Sequence, residues 1–331
     1  MNSRQPNTTG LGSEDPGICS ADLARIFMAA PDTEAGLEDI AACLNAPDES
    51  VRILSVEALS KWEAKAVPFI LKALAPEQPE PVRVAAASAL GRIGTEAETA
   101  VLPLSSCLES DNDLLLWHSG FALAKIGSPA IPELKNKLVS DNPKTVIAAV
   151  RSLGWMGKEA DQAVETIQAI ETTNKTPELT LVCACTLVRI TGDTEKGLVP
   201  IFLCLEQADA ELKKTCIREL GLLGEQAKGA QEKLIPLLVD TDPEIRSETA
   251  LALARIGNPS KDLAQALIPL LSDENKEVRV NTCIALSAYG PDANAALPDL
   301  KAMAEDKDPQ LSVIALKVIE ALEGNAKAGG E

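Results

Sequence analysis

Residues Val82–Gly94 read VRVAAASALGRIG and Ile245–Gly257 read IRSETALALARIG, with Val278–Gly290, VRVNTCIALSAYG, a third copy of the same phrase. One leucine can be followed through Leu59, Leu90, Leu123, Leu153, Leu187, Leu220, Leu253 and Leu286, and Ile319 stands in last. The steps between them are 31, 33, 30, 34, 33, 33, 33 and 33 residues. A period of this size means stacked supersecondary units, each burying its apolar face against its neighbours. The chain is therefore predicted to be all-α, an α-solenoid of about nine helical hairpins.

Each repeat reads as two helices, A then B, with the leucine on B. Around Leu253, Asp242 is a natural N-cap and Pro243 suits the first helical position, where its missing N–H costs nothing. Thr249, Ala250, Leu253 and Ile256 fall on one stripe at helical spacing. Gly257 closes the helix, as do Gly94, Gly127, Gly157, Gly224 and Gly290, which is the expected use of glycine at a left-handed C′ position. The A helices carry a proline in an apolar run (Pro68, Pro103, Pro132, Pro200, Pro236, Pro269, Pro298), which bends such a helix or moves its start. The repeat near Val164 lacks that proline and is expected to be the least regular. A lone helix is expected at Cys19–Ala29. Residues 1–17 and 323–331 are expected to be disordered tails flanking a single solenoid over 18–322.

Composition narrows the function. The chain has 331 residues, 31 basic against 49 acidic, and a net charge of −18. That balance argues against nucleic acid or an anionic membrane surface as a partner, since both need an excess of Lys and Arg. Aromatic residues are only 2% of the chain, so the core must be Leu, Ile, Val and Ala. Cys183, Cys216 and Cys283 fall on core positions, which reads as buried thiols in a reducing compartment. Cys183 and Cys185 lack the second pair that a zinc site needs. The polar start MNSRQPNTTGLGSEDPG is unlike a signal peptide, and no apolar run is long enough to span a bilayer. A cytoplasmic protein is expected.

The order A-x-x-A-[IV]-P-x-L, then Asp, then [VI]-R-x-x-[AT]-[AC]-x-A-L-x-x-[IY]-G resembles HEAT repeats. It is similar to the short HEAT-like units first named for phycobilisome lyases. The resemblance covers about Ser20 to Leu322. It implies a right-handed superhelix whose B helices line the concave side. It says little about function, because one fold carries many roles.

With the leucine as position zero and about 100° per residue, positions −7, −4, −3 and +3 share its buried side, while −5, −2 and +2 lie opposite. The 27 residues at −5, −2 and +2 include eight basic and two acidic ones, reversing the sign of the whole chain. Arg92, His118, Phe121, Lys125, Arg151, Trp155, Arg189, Arg218 and Arg255 are the partner-binding candidates on this face. Arg and Trp are frequent interface anchors. The resemblance also offers a structural role for a basic residue at +2, pairing with the neighbouring repeat. Position −7 is Arg52, Arg83, Lys213, Arg246 and Arg279 in five copies, but Leu116, Val146 and Thr180 in the central ones. Trp117 is expected to be buried between repeats, and Trp62 and Tyr289 to fill the core at +3.

Catalytic and metal motifs are not evident. His118 is the chain's one histidine, and no H-x-x-H, C-x-x-C or glycine-rich phosphate loop is present. The His-Glu pairs by which deoxyhypusine hydroxylases of similar fold hold iron are missing. No metal or cofactor is expected. Two readings follow. The first is a non-catalytic scaffold or adaptor that receives an acidic peptide or protein segment in a basic, partly aromatic groove. The second, implied by the resemblance, is a bilin lyase or pigment-handling subunit, whose tetrapyrrole propionates would meet Arg151 or Arg189.

Overall fold

The computed structural model describes residues 34–173, 176–207 and 209–328. The helix expected at Cys19–Ala29 and the tail expected at 1–17 lie outside the described residues. Contacts divide the chain into two compact units, Met1–Ile167 and Gln168–Glu331. The described residues contain helices and no strand.

Unit 1 contains α1 (Glu34–Ala42), α2 (Glu49–Leu59), α3 (Val67–Leu74), α4 (Glu80–Ile93), α5 (Val101–Cys107), α6 (Asp113–Ile126), α7 (Ile131–Lys137), α8 (Pro143–Met156) and the start of α9 (Val164–Thr173). Unit 2 continues with α10 (Pro177–Thr191), α11 (Thr194–Gln207), α12 (Ala210–Leu223), α13 (Gln231–Leu234), α14 (Pro243–Ile256), α15 (Lys261–Leu267), α16 (Lys276–Tyr289), α17 (Leu297–Ala304) and α18 (Pro309–Ala328). Even-numbered helices are the B helices. In unit 1, α2, α4, α6 and α8 stack in order, and α3, α5 and α7 form a second layer. In unit 2, α10, α12, α14, α16 and α18 stack likewise.

The leucine stripe is the core. Leu59, Leu90, Leu123 and Leu153 in unit 1, and Leu220, Leu253 and Leu286 in unit 2, are fully buried. Each contributes about 1.5–3 kcal/mol relative to exposure. Trp62 and Tyr289 are buried at +3 as expected. The predicted cap also forms: the Asp242 side chain accepts from the Glu244 N–H, with Pro243 in the first turn. Asn112, Asn142, Asp209 and Asn275 do the same for α6, α8, α12 and α16.

The closing glycines differ from expectation. Gly94, Gly127, Gly157, Gly224, Gly257 and Gly290 have φ from 54° to 84° but ψ between −131° and −150°, whereas a left-handed cap has ψ near +47°. In most repeats this conformation sends the chain straight into a 3₁₀ turn that leads to the next A helix. Among the glycines that close the described B helices, Gly192 alone comes close to the left-handed region, with φ 73° and ψ 4°. The prolines mark starts: Pro68, Pro132 and Pro298 lie in the first turn of α3, α7 and α17, while Pro200 lies inside a helix, α11.

The −7 cations are structural. Arg52 Nη1 donates to the Ala46 and Pro47 carbonyls, Arg246 Nη1 to those of Asp240 and Thr241, and Arg279 Nη1 to those of Asp273 and Glu274. Each tethers the loop that enters its own B helix. In two central copies Leu116 and Val146 are buried instead, and the Thr145 hydroxyl donates to the Leu108 carbonyl at 2.9 Å. The central departure at −7 is thus a change of packing.

The B helix α10 carries one residue more than α4, α6, α8, α12, α14 and α16. Its N-cap Thr176 keeps register with Leu187, but its closing Gly192 keeps register with Val188. Val188 is fully buried and Leu187 only half-buried. At the other end, α18 runs on as helix to Ala328, past the boundary expected at 323. Its Val313 and Leu316 are about half exposed, at 49% and 54%.

Candidate functional site

Two glycines bring three B helices of unit 1 together. A Cβ on Gly91 would lie 3.3 Å from the Ala122 Cα and 3.5 Å from the Phe121 ring. One on Gly120 would lie 2.6 Å from Ser152 Oγ and 3.5 Å from the Trp155 ring. Without side chains at these points, α4, α6 and α8 approach closely and their exposed faces meet.

On that face stands an aromatic cluster. Trp117 and Phe121, one helical turn apart on α6, stack with ring centroids 5.4 Å apart and planes 4° from parallel. Trp155 on α8 meets both edge-on, at 5.7 Å from Trp117 and 5.9 Å from Phe121. His118 packs edge-on against Trp117 at 4.9 Å. These are favourable geometries for ring quadrupoles. Trp117 is 48% exposed, not buried between repeats as expected. The run Leu114–Trp117 holds more apolar side chains than one stripe can bury, and Leu114 and Trp117 are left outside.

The cations around the cluster are of two kinds. Lys125 Nζ lies 5.3 Å from the Phe121 ring centroid, a cation–π contact. Arg92 donates to the Ser88 and Ser60 hydroxyls. Neither is in an ion pair among the described residues. Arg151 is half-buried on the same layer. His118 is held below its ordinary pKa, first by burial and then by the Arg92 charge, so it is neutral at pH 7 and adds no charge to the face. Beside the rings opens a cleft of about 660 Å³, lined by Phe121, Trp155, Lys125, Thr95, Glu98 and Glu159. Glu98 and Glu159 were not among the sequence candidates, and they make this wall mixed in charge rather than basic.

In unit 2 the candidate cations are mostly neutralised. Arg189 Nη2 is 3.3 Å from Glu219 Oε2, with both side chains largely buried. Arg218 Nη2 is 2.9 Å from Glu248 Oε1. Arg255 is exposed and in no ion pair among the described residues. Of the residues placed by pattern on this face across the chain, only Val182 and Cys185 are buried, both on α10. The described cysteines are all buried. Burial pushes the Cys183 thiol up to about 12, helped by the Glu171 carboxylate, and the Cys216 thiol also to about 12. Among the described residues no cluster of three or more His, Cys, Asp or Glu could hold a metal ion, and no helix is long and apolar enough to cross a membrane.

The profile of the HEAT-repeat family matches residues 37–116, 199–263 and 233–323, more than half of the chain. The protein belongs to the HEAT-repeat family. No curated protein matches the sequence. Among solved structures, the chain is similar to a homology model of the full-length AP-3 complex in an intermediate open conformation. That match has 19% identity, covers 87% of this chain and 57% of the other, and has a TM-score of 0.51. It is also similar to the complex of CpcE and CpcF of phycocyanin lyase from Nostoc sp., with 18% identity, coverage of 89% and 97%, and a TM-score of 0.43. A third is human deoxyhypusine hydroxylase in complex with glycerol, with 20% identity, coverage of 79% and 97%, and a TM-score of 0.38. These likenesses bear on fold alone.

Proposed function

We propose that the protein is a non-catalytic interaction scaffold whose primary contact is the Trp117–Phe121–Trp155 platform of unit 1. HEAT repeats commonly mediate protein interaction, which supports a protein partner. The observation that carries the reading is a preorganised aromatic trio, with Trp117 half exposed and Phe121 and Trp155 half-buried, in a chain with so few aromatic residues. Rigid rings supply large contact area at low entropic cost, and such anchors dominate interface energies. The partner segment presents an apolar or aromatic anchor to the rings and a carboxylate to Arg92 and Lys125. The expectation of a basic groove along the whole B layer is cut back to separate cations: Arg92 and Lys125 serve the platform of unit 1, while in unit 2 Arg189 and Arg218 already face carboxylates.

A tetrapyrrole reading is weaker for the same reason. A propionate approaching Arg189 would have to displace Glu219.

The test is affinity purification from the source organism with wild-type protein, Trp117→Ser/Trp155→Ser and Lys125→Glu. A specific protein retained by the wild type and lost by both variants, with helical circular dichroism unchanged, is the expected result. The same protein recovered equally by all three would remove the platform from the interaction. Biliverdin titration of the wild type is the second arm, and an intensified, shifted visible band abolished by Trp155→Ser would replace the scaffold reading by a pigment-handling one.

A further inference from the structure

Unit 2 carries a second exposed surface, of different composition. On α12, α14 and α16 the −2 and +2 positions form a grid: Arg218 and Leu222, Leu251 and Arg255, Ile284 and Ala288. Leu222 is 55% exposed, Ile284 46%, and Leu251 half-buried between them. The register is fixed by contacts between neighbouring helices. Arg218 reaches Glu248, Asn281 Nδ2 donates to Ser247 Oγ at 2.7 Å, and a Cβ on Gly221 would lie 3.6 Å from Arg255 Cδ. Arg255 thus stands on the middle helix of the three, between α12 with Leu222 and α16 with Ile284, with its stem close to the bare backbone of α12 at Gly221.

The charge pattern says what is missing. Arg189 and Arg218 each find a carboxylate thirty residues on, at Glu219 and Glu248. Thirty residues on from Arg255 is Ala285, which is buried and has no acceptor side chain. Arg255 is the B-face arginine of this unit with no carboxylate partner among the described residues. A guanidinium sharing its helix face with the exposed Leu222 and Ile284 and the half-buried Leu251, in a molecule of net charge −18, is a place where one carboxylate gains both a charge-assisted hydrogen bond and removal of apolar surface from water.

We propose that this face of unit 2 is a docking surface, separate from the aromatic platform, for a partner segment carrying a carboxylate between aliphatic side chains. The segment crosses α12, α14 and α16, about 20 Å at helix spacings of ~10 Å, or about six residues of extended chain. The carboxylate meets Arg255, and the aliphatic groups cover Leu222, Leu251 and Ile284.

The experiment is selection of random twelve-residue peptides displayed on phage against the full-length protein, followed by titration of the enriched peptides. Peptides bearing Asp or Glu flanked by Leu, Ile or Val are expected. Their affinity should fall at least tenfold for Arg255→Glu and for Ile284→Ser, and be unchanged for Trp117→Ser/Trp155→Ser. Replacing the peptide's acid by lysine should restore binding to Arg255→Glu. Enriched peptides that depend on the tryptophans and ignore Arg255 would overturn this surface while supporting the platform of unit 1. A selection yielding no peptide sensitive to Arg255 or Ile284 also overturns it. Arg255 and Ile284 are exposed enough that either variant should fold, and circular dichroism confirms that.

Discussion

Glu63 stands four residues after Leu59, the place that Gly94, Gly127 and Gly157 hold after their own leucines in unit 1. Its φ of 50° and ψ of −131° match theirs, in a region that only glycine enters without strain. The glutamate side chain is exposed and makes no hydrogen bond or ion pair among the described residues. Glu63→Gly should therefore stabilise unit 1 by about 1–3 kcal/mol, the usual strain of such a residue. Urea unfolding followed by tryptophan fluorescence reads this directly, because Trp62, Trp117 and Trp155 all lie in unit 1. At the same scale, Cys183 and Cys216, pushed up to about 12, hold almost no thiolate at pH 8. Iodoacetamide should leave both unmodified in the native protein and label them on adding denaturant. Rapid native labelling would mean that α10 and α12 open readily.

The helices were readable because each needs the same few signals: an Asx cap, a stripe at helical spacing and a stopping glycine. Those signals are local, and α6, α8, α12, α14 and α16 keep them all, while α10 starts at Thr176 without a side-chain cap. What the repeat could not convey is how its copies deviate. In α10, which is one residue longer than its fellows, Val182 and Cys185 are buried where an exposed face was expected, as are most of the residues around them. The platform was half legible. Phe121 and Trp155 follow from counting, but Trp117 sits beside the counted positions and Glu98 and Glu159 come from turns that the helix count ignores. The pairing of Arg189 and Arg218 depends on inter-repeat register, which side-chain periodicity within one helix does not encode. That register also makes a prediction. A Cβ on Gly221 of α12 would lie 2.9 Å from the Ala252 Cα of α14, a backbone atom that cannot rotate away. Overpacking of this kind costs about 1–3 kcal/mol, against about 1 kcal/mol gained from helix propensity. Gly221→Ala should lower the urea midpoint read by circular dichroism, with the spectrum at zero urea unchanged.

Across the whole molecule, stability in a repeat array is a sum of units and nearest-neighbour interfaces, so a lesion in one unit need not be felt equally in the other. Asp273 is suited to test this. It receives two hydrogen bonds from Arg246, each at 2.8 Å, with both side chains nearly buried. The Arg246 guanidinium, opposed by burial and aided by the Asn275 N–H, holds the Asp273 carboxyl below its ordinary value. Lys276, with the backbone N–H of Gln310, does the same for Asp308. Because the folded values are depressed, these groups contribute stability that is complete above the unfolded carboxylate range near pH 4, and it is lost as pH falls through the lower folded values. Asp273→Asn removes one of these contributions and leaves Arg246 without its carboxylate, a loss of up to about 3 kcal/mol for a largely buried pair. The variant's urea midpoint by circular dichroism should be lower at pH 7, and should change less than the wild type's between pH 5 and pH 3. Asp273 lies in unit 2 and the tryptophans in unit 1, so the fluorescence transition should move less than the dichroism transition. Equal shifts in both would mean that the chain unfolds as one cooperative array, in which a broken ion pair at Arg246 is felt as far away as Trp62.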